Sequence, residues 1–280
     1  MPAITITEPL QINAIVWIHA LEEDEMGPTR RTLANLRRLD QSGGLTLAQY
    51  AIRDRQELFT LLDDIAAQTA SGLRPILHFD AHGNTDEGLC LAPSGEWASW
   101  AELIERLRAI NLGTENNLVV VLALCFGLEL YKLVELKRPA PAYLFAASDE
   151  VIYDDFLENQ SYAFYKQVHE AGAFLEPFNR TLGRKMRLFN CQGLFLQALA
   201  RYVKTQCRGQ ALDERIERSA RKMLERAGVS EPTPQQLEPY RQRARAFLQP
   251  GENLIAHFAP TFLIGREPGF TYADVERLAR

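Results

Sequence analysis

Two side chains of this sequence could together attack a carbonyl group: Cys125 and His82. Each follows an apolar run. Ile76-Leu-His-Phe-Asp80 leads through Ala81 to His82-Gly83, and Leu118-Val-Val-Val-Leu-Ala-Leu124 leads to Cys125-Phe-Gly127. A thiolate is a strong nucleophile, and an imidazole can take its proton and later hand one to a leaving amine. Gly83 lets the backbone approach closely, so its N–H and that of Cys125 could share a developing oxyanion. A helix starting directly behind Cys125 would favour the thiolate. Taken singly, a cysteine after an apolar run is usually a small buried hydrophobe and a histidine usually structural. Their matching positions at the ends of two apolar runs join them into a candidate site.

The elements that must hold these residues alternate along the first two-thirds of the chain. Ile12–His19, Leu45–Ile52, Arg74–Asp80, Leu118–Leu124 and Pro141–Ala147 read as strands. Between them, Thr29–Leu39, Asp54–Thr69, a Ser99-capped segment through Ile110, and Leu128–Leu136 carry apolar residues at helical spacing, and Ser161–Glu170 follows the last strand. The third strand closes in Ala81-His82-Gly83, Asn84–Glu96 after it reads as a hairpin, and Ser42-Gly-Gly reads as a turn before the second strand. Strand–helix alternation implies right-handed crossovers and an α/β sandwich. In such sheets ligands collect beyond the carboxyl ends of the strands, where His82 and Cys125 stand. Neighbouring parallel strands lie about 4.8 Å apart, so both residues can reach one substrate. From about residue 175 the chain reads as mostly helical, with charge-laced stretches at 213–227 and 235–248; Asn253–Ile264 suits strand and helix equally.

Composition narrows the function classes. The 280 residues carry 31 Lys+Arg against 36 Asp+Glu, a net charge of −5 that argues against a nucleic-acid binder. The charge is uneven: residues 1–200 hold 17 basic and 26 acidic groups, residues 201–280 hold 14 and 10. No apolar run reaches the ~18–20 residues of a membrane span, and Met1-Pro-Ala-Ile-Thr-Ile-Thr-Glu8 lacks the basic and apolar regions of a signal peptide. A cytoplasmic protein without membrane partners is the expectation. The four cysteines, Cys90, Cys125, Cys191 and Cys207, are too dispersed for a zinc knuckle or a disulfide framework. No cofactor and no metal ligand set is expected.

The order of these segments, Ile76-Leu-His-Phe-Asp-Ala-His-Gly83, then Leu118-Val-Val-Val-Leu-Ala-Leu-Cys125 and a following small-residue strand, resembles the caspase-like cysteine peptidases. It is most similar to their bacterial and separase-like branch, the CHAT domains, over residues 10–175. Of the animal caspase signature Gln-Ala-Cys-(Arg/Gln/Gly)-Gly, Ala123-Leu-Cys-Phe-Gly127 keeps the Cys and the final Gly but not the Gln or Arg, so the resemblance does not extend to cleavage after Asp. It implies a three-layer sandwich with a mainly parallel central sheet in a peptidase domain at 1–175, and leaves the region at 176–280, mostly helical by its own pattern, without a counterpart. It also implies Cys125 as nucleophile, His82 as general acid/base, and an oxyanion hole at the Gly83 and Cys125 N–H groups. The protein substrate would be cut after a basic P1 residue held by an acid beyond the fifth strand. Of Asp149, Glu150, Asp154 and Asp155, Asp154 is the first choice and Asp149 the second. An activating partner protein and a role in bacterial defence or cell death belong to the same implication.

Other residues and readings stay open. Asp80 shares a strand face with His82 in ideal geometry and could polarise it. His78 shares the His82 face and suits the core or a place behind the site, and His19, at the end of the first strand, could line a pocket. Cys90 suits an ordinary thiol, while Trp97 and Trp100 could pack under the hairpin or line a groove. The Arg-rich helices at 215–226 and 241–245 suit a solvated surface. Asp80-Ala-His82 is similar to a stretch of the manganese ureohydrolases, but the second Asp-x-Asp cluster of that family is missing. A catalytically inactive α/β interaction module is the remaining alternative.

Overall fold

Strands rich in β-branched and large apolar residues are stable in the middle of a parallel sheet because helices cover both faces. In the computed structural model, which describes residues 10–40 and 46–280, four such strands are buried at every position: β1 (Ala14–His19), β3 (Pro75–Asp80), β7 (Val119–Ala123) and β8 (Leu144–Ala147). With the edge strands β2 (Thr46–Ala51) and β9 (Arg187–Asn190) they form a six-stranded sheet in the order β2-β1-β3-β7-β8-β9. All pairings are parallel except β8 with β9. The Ser42-Gly-Gly turn and Met1–Glu8 lie outside the described residues.

Topology assigns the helices to faces. The β1-to-β2 connection runs one way along the sheet and the β2-to-β3 connection runs back, so right-handed crossovers place their helices on opposite sides. Accordingly α1 (Gly27–Asp40) packs with α5 (Asp154–Ala171), and α2 (Arg55–Thr69) packs with α3 (Trp100–Gly113). This is an α/β fold compatible with a three-layer sandwich. The helix starts are locally encoded. The Asp54 carboxylate accepts the Glu57 N–H, and Ser99 with Glu102 closes a capping box.

Several elements differ from the sequence reading. The expected hairpin is a separate three-stranded antiparallel sheet, β4 (His82–Asn84), β5 (Gly88–Leu91) and β6 (Glu96–Ala98). The expected helix at 128–136 contracts to α4 (Glu129–Lys132). Helix α5 begins at Asp154, so the acidic stretch at 149–158 is half loop and half helix. The edge strand β9 falls in a stretch read as helical. Its four residues are defined by pairing with β8, a non-local cause that local periodicity does not report.

Two compact units divide between Cys191 and Gln192, beyond the expected boundary at 175, since α6 (Leu175–Arg180) and β9 belong to the first. The second unit takes in α7 (Cys191–Gln206) from Gln192 onward, α8 (Gly209–Arg226), α9 (Pro234–Leu248), α10 (Glu252–Phe262) and α11 (Tyr272–Ala279). Asn253–Ile264 is thus largely helical. Ala220, Leu224 and Leu237 form a small core between α8 and α9. On its surface Glu217 pairs with both Arg221 and Arg241, so the basic helices carry interleaved counter-charges.

Candidate active site

Cys125 sits in the turn that leaves β7. Phe126, next in sequence, adopts a left-handed φ of +58°, a conformation that costs a non-glycine residue on the order of 1–2 kcal/mol. The turn is tied to the loop after β8: the Phe126 N–H donates to the Glu150 carbonyl and the Leu128 N–H to the Ser148 carbonyl. The thiol lies against the same loop. Its Sγ accepts the Ile152 N–H at 3.4 Å and points its own hydrogen at the Ile152 carbonyl, 3.8 Å away. The helix expected directly behind Cys125 is displaced to Glu129 and is four residues long, so no helix N-terminus stands behind the sulfur.

Gly83 meets this turn through its backbone. A Cβ placed on Gly83 would lie 2.1 Å from the Cys125 carbonyl oxygen and 2.7 Å from a Leu124 methyl. Only glycine fits, and the ends of the two apolar runs are in main-chain contact. The Cys125 N–H makes no main-chain hydrogen bond among the described residues.

His82 is the first residue of β4, on a small sheet of its own, so strand alternation from β3 does not carry through Ala81 to it. Asp80 therefore does not orient the imidazole. Instead, His82 Nε2 is 2.8 Å from Glu25 Oε1, in the loop between β1 and α1. Opposite His82 across β4 and β5 stands Cys90. Burial raises its thiol pKa, with the charges of Glu25, Glu87 and Glu22 adding to the effect, which disfavours its thiolate. Among the described residues no hydrogen bond joins Cys125 to His82: the thiol is held by Ile152 and the imidazole by Glu25.

A narrow cavity, with about 20 Å³ open to water, lies at the carboxyl ends of β1, β3 and β7 beside α1 and α5. Its lining includes Asp80, Ala123 two residues before Cys125, and the carboxylates of Glu25, Asp154 and Glu158, and among the described residues no Lys or Arg. Of these carboxyl groups Asp80 is the buried one. Its Oδ2 accepts from the Thr29 hydroxyl at 2.6 Å and the Trp17 indole N–H at 3.3 Å. Burial pushes its pKa up to about 6; the two hydrogen bonds oppose the rise, the Asp154 charge adds to it and the nearby His82 reduces it. His78 is fully buried, stacks on Trp17 at 3.6 Å, and contacts the Tyr165 hydroxyl through Nδ1 at 2.9 Å. Burial lowers its pKa to about 3, so it is neutral. Two lining atoms, His78 Nε2 and Ser161 Oγ, are buried without hydrogen-bond partners among the described residues, a costly state.

The pocket acids named from sequence part company here. Asp154 lines the cavity from the first turn of α5. Asp149 does not; it pairs with Arg187 at 2.7 Å. His19 is buried against Gln49, and Trp100 is buried with its indole N–H on the Asn84 carbonyl, a packing role. Sequence reasoning passed over Glu25, Thr29, Trp17 and Ser161. Glu25 closes the acidic run Glu22-Glu-Asp-Glu25, where no local pattern singles out one carboxylate, and nothing local marks the others. No group of three or more His, Cys, Asp or Glu side chains able to hold a metal occurs among the described residues. No model of a known protein family matches the chain, and no curated protein matches it.

Proposed function

We propose that the chain is a cysteine-type endopeptidase of caspase-like character in which Cys125 attacks and His82 transfers protons. The observation that carries this reading is the main-chain contact of Gly83 with Cys125, which only glycine permits and which sets His82 beside the nucleophile's turn. The Cys125 N–H, uncommitted to other main-chain groups, would donate to the oxyanion together with the Gly83 N–H. For reaction the Cys125 thiol leaves the Ile152 backbone and turns toward the imidazole, an adjustment in keeping with loosely aligned catalytic groups in substrate-free enzymes.

The substrate would be a protein cut after Arg or Lys. The acidic cavity next to Ala123 supports this, with Asp80 as its buried acid and Asp154 nearer the surface. In its present width the cavity admits little more than a water molecule. A guanidinium enters if the rim opens, where Arg31 binds both Glu158 oxygens in an exposed ion pair; such pairs are worth about 1 kcal/mol or less. A regulated, partner-activated role in defence or cell death fits a site whose parts need adjustment. Among the described residues no helix is long and apolar enough to cross a membrane.

A second reading, an interaction module without catalysis, draws on one observation: the thiol and the imidazole each have another partner. Fluorogenic peptides with Arg, Lys, Leu or Asp at P1, tested on the wild type and on Cys125→Ala, decide between the two. Cleavage by the wild type that vanishes in Cys125→Ala is expected. Cleavage that persists in Cys125→Ala overturns the mechanism, and none by either protein favours the module.

A further inference from the structure

The loop from β1 to α1 brings a carboxylate to the imidazole. We propose that Glu25 is the positioning residue of this site: through Nε2 it fixes the His82 ring and its tautomer, leaving Nδ1 to exchange protons with Cys125. This rests on the assignment of Cys125 and His82 as the reacting pair.

Three observations carry it. The first is the distance, 2.8 Å between Glu25 Oε1 and His82 Nε2. A carboxylate can only accept, so Nε2 carries the hydrogen and Nδ1 is left as the basic nitrogen. The second is that Glu25 is itself anchored. Its Oε2 accepts the Glu22 N–H at 2.9 Å, and the Glu25 N–H donates to the Glu22 carbonyl at 3.1 Å, so a closed turn aims the carboxylate. Partial burial pushes the Glu25 pKa up, but the Glu22 N–H and the hydrogen bond and charge of His82 outweigh this and hold it below the usual glutamate value. The third is that Asp80, the acid to which strand alternation points, is engaged elsewhere: its Oδ2 serves Thr29 and Trp17.

The proton inventory closes around this pair. The Cys125 S–H proton passes to Nδ1 as sulfur bonds to the substrate carbonyl carbon and the C=O π electrons move to oxygen. The imidazolium then holds two N–H groups, one still donated to Glu25, whose charge stabilises it. As the C–N bond breaks, the Nδ1 proton goes to the leaving amine. Water next adds to the thioester, gives a proton to Nδ1 and releases the acid, and that proton returns to sulfur.

The test compares the wild type with Glu25→Gln, Glu25→Ala, His82→Ala and the Glu25→Gln/His82→Ala double variant. A glutamine keeps size but has one acceptor oxygen, so it cannot serve both Glu22 and His82. Against a P1-Arg peptide, Glu25→Gln is expected to lower kcat by about 10–100-fold with KM nearly unchanged. In parallel, iodoacetamide labelling of Cys125, followed by mass spectrometry, should slow in Glu25→Gln and His82→Ala alike, and no further in the double variant. An unchanged kcat overturns the proposal, as does a rise in KM alone, which would make Glu25 only a cavity wall. So does labelling of Glu25→Gln at the wild-type rate. If the wild type cuts no peptide, the peptidase reading fails, and the labelling series still decides for or against Glu25.

Discussion

The two faces of the central sheet are built to different rules. On the face that meets α2 and α3, strand alternation places Val16, Ile18, Leu77, Phe79, Val120 and Leu122, all buried and all apolar. On the opposite face, toward α1 and α5, the last turns of the same strands carry Trp17, His78 and Asp80. The first face stabilises by burial alone. The second contains a neutral buried histidine with an unpartnered nitrogen and a carboxyl whose pKa is pushed up to about 6. Buried polar groups of this kind cost stability, and their confinement to the carboxyl ends, beside the Cys125 turn, supports the site proposed there.

The largest expected effect falls beyond the polar face. Cys125→Ala and His82→Ala should each abolish peptide cleavage while circular dichroism and melting temperature stay near wild type. Because the two act as a unit, the double variant should be scarcely worse than either. Unfolding of either single variant would mean that the site, like the apolar face, is structural.

The apolar face should respond in stability only. Phe79→Ala should cost about 3–5 kcal/mol in denaturant unfolding, with P1 preference per folded molecule unchanged. A changed P1 preference would show that the two faces are not separable.

Asp80→Asn tests the polar face in both senses. At pH 7.5, turnover of P1-Arg peptides should fall by about 2–3 kcal/mol in transition-state terms, and that of any accepted P1-Leu peptide far less. Stability should move the other way. With its folded pKa raised above the unfolded value, Asp80 holds its proton more tightly in the folded state, so its burden on the fold grows as pH rises from about 4 to about 6. The gain in unfolding free energy of Asp80→Asn over the wild type should therefore be larger at pH 7.5 than at pH 4.5, by up to about 2–3 kcal/mol. An equal difference at both pH values would mean that Asp80 is not strained by burial.

The smallest effects separate the loop acids. Asp154→Ala, removing an exposed cavity carboxylate, should weaken P1-Arg cleavage by about 1 kcal/mol or less, read as kcat/KM. Asp149→Ala should leave it unchanged, since Asp149 faces Arg187. The reverse ranking would move the pocket to the loop after β8.

The sequence by itself determined the five parallel strands of the central sheet, most of the helices and the two residues at the ends of the apolar runs. These depend on short-range causes: β-branched runs, helical periodicity, and caps such as Ser99 with Glu102. Gly83 was legible too, because a residue without a side chain lets the backbone approach closely, and the fold shows what it approaches, the Cys125 carbonyl. Only the tertiary structure decided who holds His82. Chain alternation pointed to Asp80, but the chain leaves the sheet at Ala81, and a turn far upstream supplies Glu25 instead. The same is true of the cavity, whose Trp17, Thr29, Asp80 and Ser161 come from four elements, and of β9, whose pairing with β8 makes it a strand. Such contacts join residues distant in sequence, and local propensity carries no record of them.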